Sequence, residues 1–225
     1  MSADITLPFE KGSHVLFIGD SITDAGRLTD KPPYGGGYVS LIQALVTAEA
    51  PELGLRWSNR GISGNTVRDL AGRWQADVLD ERPDWLCVKI GINDCWRGVE
   101  GKTEEAVPVG EFQETLAALL DRAVAATGCR VVLATPYLIE GDRSDPWRIE
   151  SDRYVAATGE VARERGLPLV DVQAAFDRVL AHTVPADWAR DRVHPALPGH
   201  AVIARAFLDT FRALAAGDAG EAGAN

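Results

Sequence analysis

Residues 14–23 read HVLFIGDSIT. The first six, His14–Gly19, form an apolar run without the alternation of a half-solvated strand, and the run stops at Gly-Asp-Ser, a turn-forming sequence. A strand that is apolar throughout is one covered on both faces, and parallel sheets are the usual place for it. The pattern recurs at Leu55–Asn59 (LRWSN), Trp85–Ile90 (WLCVKI), Arg130–Thr135 (RVVLAT) and Leu167–Val172 (LPLVDV). Between these runs the period lengthens to that of amphipathic helices, at about Tyr38–Ala50, Val67–Glu81, Gly110–Thr127 and Trp147–Arg165. A last helix is predicted after Pro198, whose fixed φ suits a first turn, as far as about Ala216. Strands alternating with helices, joined by right-handed crossovers, predict an α/β fold: a three-layer α/β/α sandwich around a central five-stranded parallel sheet.

Composition sets the bounds. The chain has 225 residues, 46% hydrophobic and 25% charged, enough for one domain with a full core, predicted over residues 1–216. Residues 217–225 hold only Gly, Ala, Asp, Glu and Asn and read as a flexible tail. A formal net charge of −10 argues against nucleic-acid and anionic-membrane partners. The N-terminus shows no basic segment followed by an apolar stretch, and no run approaches the length of a membrane span, so the cytoplasm is the expected compartment. Cys87, Cys95 and Cys129 are odd in number and match no zinc spacing, which fits reduced thiols in that compartment.

In a parallel sheet, ligands bind outside the carboxyl ends of the strands, where the strand order reverses. The loops predicted at that edge carry the unusual residues: GDSIT (19–23), NRGISGNT (59–66) and GINDCW (91–96), joined by DRVHP (191–195) before the last helix. Ser21 directly follows the first strand. A serine hydroxyl is a weak nucleophile that needs a neighbouring base, although GDS alone is equally a plain turn. His194 supplies a base. Asp191, three residues earlier, can reach its Nδ1 if the segment turns, and the alternative is a surface loop in which Asp191 pairs with Arg190 or Arg192. Acyl transfer also needs donors for a developing oxyanion. Gly64 suits a backbone N–H in close approach to a ligand, Asn93 offers a side-chain amide, and the Ser21 N–H is a third; as structural residues, Gly64 fits a turn and Asn93 a cap.

GDSIT, the glycine of GISGN, GIND and DRVH resemble the Ser, Gly, Asn and His blocks of the SGNH (GDSL-type) hydrolases, in the family's order and over about Val15 to Leu214. Ile22 stands where the GDSL block has leucine, an apolar exchange without consequence for the chemistry. The resemblance implies the flavodoxin-like SGNH hydrolase fold, Ser21 as nucleophile completed by Asp191 and His194, and an oxyanion hole of Ser21, Gly64 and Asn93. GDSITDAGR, NRGISGNTVRDL, KIGINDCWR and DRVHP are most similar to the intracellular bacterial acetylxylan esterases of this type. That implies removal of acetyl groups from xylo-oligosaccharides by a homo-oligomer such as an octamer, without a cofactor. The other readings are an esterase of the same chemistry acting on lysophospholipid, thioester or aryl ester, and a carbohydrate-binding protein without turnover.

Tyr34, Trp96 and Trp188 are candidate substrate-binding residues, because rings can stack on sugar faces, although Trp and Tyr also serve in cores and interfaces; Asp20, Arg27 and Arg97 are further candidates, the arginines either lining the pocket or holding loops by salt bridges. Two signals are set aside. Gly101-Lys102-Thr103 lacks the glycine that a phosphate-binding loop needs at position 96, and Asp191, His194 and His200 lack a fourth ligand for a metal. No metal is expected.

Overall fold

The computed structural model describes residues 7–222 apart from residue 30, with side chains to residue 217. Five parallel strands form the sheet: β1 (His14–Gly19), β2 (Arg56–Gly61), β3 (Trp85–Lys89), β4 (Arg130–Ala134) and β5 (Leu169–Val170), in the order β2-β1-β3-β4-β5. β1 is an interior strand, pairing Phe17 with Asn59 on one side and with Cys87 on the other. Its residues alternate between the layers. Val15 and Phe17 enter the core beneath α2 (Tyr38–Glu49) and α8 (Leu197–Ala222), while Leu16 and Ile18 enter the core beneath α3 (Val67–Trp74) and α5 (Val109–Thr127). The predicted three-layer α/β/α sandwich is what the chain forms.

Helix starts are written in the sequence. The Thr66 hydroxyl accepts from Asp69 N–H while the Asp69 carboxylate accepts from Thr66 N–H, a capping box that opens α3. The Asp145 carboxylate caps α6 (Pro146–Glu164), accepting from the N–H groups of Trp147 and Arg148. Gly128, at φ 72°, ends α5 in the left-handed conformation.

The structure corrects several predicted bounds. The fifth strand has two residues rather than six, because the Asp171 carboxylate accepts from Ala174 N–H and opens α7 (Val172–Leu180), which the apolar run had masked. The helix predicted over Val67–Glu81 leaves the α form after Trp74 and closes with a π turn, Gln75–Leu79. GINDCW is not a loop but the first turns of α4 (Ile92–Val99), and GDSIT includes a single helical turn, α1 (Ser21–Asp24). α8 continues to Ala222, past the end expected at Ala216, and of the predicted tail residues 223–225 lie outside the described residues. Among the described residues no helix is long and apolar enough to cross a membrane.

The sheet order reverses between β1 and β3. Their carboxyl ends, which lead into α1 and α4, therefore face one crevice.

Candidate active site

β1 ends at Gly19, where a Cβ would lie 2.2 Å from the Lys89 carbonyl oxygen, so only glycine lets the two strand ends come this close. Asp20 then caps the α1 turn, its Oδ1 accepting from Ile22 N–H at 3.0 Å. The chain turns sharply here and leaves Ser21 partly exposed while Asp20, Ile22, Thr23 and Asp24 are buried. Asp20 is completely buried, with its second oxygen 3.9 Å from the buried Lys89 ammonium. It supports the turn from beneath and does not face solvent, so it is not placed to touch a substrate as the sequence led us to expect. Lys89 was not singled out from the sequence, although a lysine ending an otherwise apolar buried strand was the available signal. Burial lowers its pKa, against the pull of Asp20.

His194 arrives on a tight turn. Arg192 takes a positive φ of 65° and is anchored by Glu140 and Asp145 at 2.8 and 3.0 Å, while the buried Val193 carbonyl accepts from the Tyr137 hydroxyl at 3.0 Å. Asp191 thereby folds back on its own segment. Its Oδ1 accepts from the N–H groups of Val193 and His194 at 3.0 and 2.8 Å, and its Oδ2 lies 2.6 Å from His194 Nδ1. His194 Nε2 lies 2.9 Å from Ser21 Oγ. With the Nδ1 proton directed at Asp191, Nε2 is left to accept from the serine hydroxyl. Burial pushes the Asp191 carboxyl up, but the hydrogen bonds from the His194 ring and from two backbone N–H groups outweigh it and hold the pKa below the usual carboxylate value.

Loop 62–66 lies beside this pair. Ile62 N–H donates to the Gly19 carbonyl at 3.1 Å and the Ser63 hydroxyl to Asp24 Oδ2 at 2.9 Å. Gly64 sits at φ 82°, and a Cβ there would meet nothing closer than 3.7 Å, so the glycine answers to backbone conformation rather than crowding. Asn93, in the first turn of α4, donates through Nδ2 to the Asn65 carbonyl at 2.9 Å. Its amide has a second N–H beyond that bond. Among the described residues the backbone N–H groups of Ser21 and Gly64 donate to no other protein group. Asp94 is buried behind Asn93 and accepts from Val67 N–H at 2.9 Å, tying α4 to the start of α3; burial pushes its pKa up to about 7.

The remaining candidates divide. The Trp96 ring centroid is 5.9 Å from that of His194, with Trp147 packed behind it at 5.5 Å. Trp188 lines a cavity of about 410 Å³ together with Asp191 and His194, and its Nε1 donates to the Thr183 hydroxyl at 2.7 Å. Arg97 donates to the Gly64 carbonyl at 2.8 Å and pairs with Glu105, and so braces the loop. Arg27 and Tyr34 belong elsewhere. Arg27 donates to the Gly61 carbonyl at 2.7 Å, and both residues line a separate cavity of about 340 Å³ to which Ser21, Asp191 and His194 contribute nothing. Cys95 is buried and burial pushes its thiol up to about 12, so it holds no thiolate at neutral pH. His200 is buried in the last helix and its Nδ1 accepts from Tyr38 N–H at 3.3 Å; burial lowers its pKa to about 4.

A serine, an imidazole and a carboxylate in hydrogen-bonded series, beside unpaired N–H groups at the switch point of a parallel sheet, form an arrangement suited to acyl transfer. The family model of the GDSL-like lipases and acylhydrolases matches residues 17–202. The chain is 45% identical over 205 residues to an acetylxylan esterase from Geobacillus stearothermophilus, covering 88% of this chain and 93% of the relative. The crystal structure of an acetylxylan esterase from that organism superposes with a TM-score of 0.85 at 43% identity, over 90% of this chain and 95% of the other. An α/β hydrolase enzyme from the metagenome of Lake Arreo, Spain, gives a TM-score of 0.86 at 46% identity, over 92% and 98%. Strand order, block order and these likenesses agree: the chain belongs to the GDSL-like lipase/acylhydrolase family and is a carboxylic ester hydrolase.

Proposed function

We propose that this esterase removes acetyl groups from xylo-oligosaccharides through an acyl-enzyme on Ser21. The observation that carries the reading is the unbroken hydrogen-bond series from Ser21 Oγ through His194 to Asp191, at 2.9 and 2.6 Å. His194 Nε2 takes the serine proton as Oγ attacks the ester carbonyl. The negative charge that develops on the carbonyl oxygen is met by the N–H groups of Ser21 and Gly64 and by the Asn93 amide. Asp191 stabilises the imidazolium, which then protonates the departing sugar oxygen, so that it leaves as the alcohol. Water, deprotonated by the same ring, releases acetate and restores the serine.

The acetyl and xylo-oligosaccharide assignment is supported by the acetylxylan esterase among the relatives, and by Trp96 and Trp188 beside His194, where a pyranose face could stack. A homo-oligomer in the cytoplasm is part of the proposal. The buried thiols of Cys87, Cys95 and Cys129 are unpaired, which suits a reducing compartment. Two shallow cavities along α8, of about 570 and 360 Å³, share Ala201 and Arg205 and form a surface on which copies could pack. The test is a rate profile over acyl length and over acetylated xylo-oligosaccharides, with Ser21→Ala alongside. Ser21→Ala should lose about 10⁶ in kcat. A variant that keeps most of its turnover ends the serine assignment, and a preference for long acyl chains ends the acetyl one.

A further inference from the structure

Arg73, on α3, has its side chain only 15% exposed, and its guanidinium reaches four acceptors from four parts of the chain. Nε donates to Asn65 Oδ1 at 2.7 Å, Nη1 to the Arg60 carbonyl at 2.7 Å and to Asp77 Oδ2 at 2.5 Å, and Nη2 to the Gly19 carbonyl at 3.1 Å. A helix-surface arginine that only paired with Asp77 four residues on would need just one of these. The other three are the places where the chain turns into the site. Gly19 is where β1 hands over to Asp20 and Ser21. Arg60 is the penultimate residue of β2, before the loop that carries Gly64. Asn65 is the residue whose carbonyl accepts from Asn93. Asp77, the fourth partner, lies in the π turn that closes the helix after Trp74. Such turns are rare and are often found at functional sites.

We propose that Arg73 is the positioning residue of the oxyanion site: it fixes the spacing between the segments that bear the Ser21 N–H, the Gly64 N–H and the Asn93 amide. The proposal rests on the reading of those donors given above. Oxyanion donors act only when held about 2.7–3.1 Å from the oxygen of the transition state, so their mutual placement matters more than their presence. A planar fork of donors can hold three diverging acceptors in one fixed relation. An ammonium is a point charge on a flexible stem and cannot, so lysine is not a conservative exchange here.

The test is the kinetics of Arg73→Lys, Asn93→Ala and the double variant on p-nitrophenyl acetate, well below the melting temperature of each. Arg73→Lys should lower kcat on the order of 10²-fold, the cost of misplacing a catalytic group by about 1 Å, with KM within about threefold of wild type. Asn93→Ala should lower kcat by about 10²–10³-fold. In the double variant the two losses should fall well short of multiplying, because both act on one set of donors. Wild-type kcat in Arg73→Lys, a KM change alone, or losses that multiply in full would overturn the positioning role while leaving the oxyanion reading intact. Wild-type kcat in Asn93→Ala would instead bring down the oxyanion reading, and the role of Arg73 with it. Should Arg73→Lys fold poorly, Asp77→Asn, which keeps the guanidinium and loosens its fourth contact, should show the same kcat-only loss at smaller size; an unchanged kcat there counts against the proposal.

Discussion

Asp191→Asn separates the energetics of folding from those of turnover, because the structure assigns the two carboxylate oxygens different work. Oδ1 accepts two backbone N–H groups and Oδ2 faces the imidazole. An asparagine carbonyl can keep the first pair of bonds, so the turn at 191–194 survives. The new amide N–H groups then face His194 Nδ1, which must become an acceptor. The ring proton moves to Nε2, where it points at Ser21 and can no longer receive the hydroxyl proton. Amidating the orienting carboxylate of a serine triad costs about 10⁴ in kcat, or about 5.5 kcal/mol of transition-state stabilisation. The stability cost is far smaller. The Asp191 and His194 side chains are 43% and 46% exposed, and a side-chain contact so well solvated contributes at most about 1 kcal/mol to folding. For a chain of this length that is a fall of about 2–4 °C in Tm. The assay is kcat on p-nitrophenyl acetate with calorimetry of the same preparations. Turnover within about tenfold of wild type would refute the tautomer argument. A fall in Tm of more than about 10 °C would show that the loss comes from a disordered turn.

Two further predictions concern pH. Asp94 has a folded-state pKa of about 7, raised by burial, so its contribution favours folding at low pH and is lost as pH climbs from the ordinary carboxylate range through 7. Asp94→Asn keeps an acceptor for Val67 N–H and removes that dependence. Urea midpoints of wild type should therefore fall relative to the variant between pH 4 and pH 8, by the equivalent of a few kcal/mol on the order of 1.4 per pKa unit, and parallel curves would exclude this. His200 shows the opposite sign. Burial depresses its pKa to about 4, so its contribution is complete above the unfolded value of 6.5 and is lost as pH falls toward 4. His200→Asn retains an acceptor for Tyr38 N–H and should flatten the acid limb of the stability curve; an unaltered limb would mean that another group governs it.

Apolar strands and glycine-bounded turns announced the parallel sheet, because burial on both faces leaves no room for polar alternation; the edge strand β2, with Arg56, Ser58, Asn59 and Arg60, is the exception. The candidate site stood out for a related reason. Ser21, Gly64, Asn93 and His194 stand beside strand ends or helix starts, where residues that favour turns mark the break in periodicity. What stayed hidden has a common cause too. α7 was lost because VDV continues an apolar run, and only the Asp171 side-chain bond turns it into a helix. α4 was lost because it begins inside a motif read as a loop. Asp20 looked available because motif residues tend to be read as facing the ligand, yet its side chain is completely buried beside Lys89. Arg73 offered no local signal at all. An arginine on an amphipathic helix is ordinary, and its partners at positions 19, 60 and 65 become neighbours only once the sheet has assembled.

Asp191 and His194 share one short turn, and this has a consequence for how the enzyme could be switched off. The carboxylate and the ring travel together, so a shift of that turn stretches the contact to Ser21 and leaves the Asp191–His194 bond untouched. Idle and working forms would then differ along a single coordinate, with the hydrogen bond between His194 Nδ1 and Asp191 kept throughout. Returning the turn to its place would then restore the contact to Ser21 without refolding.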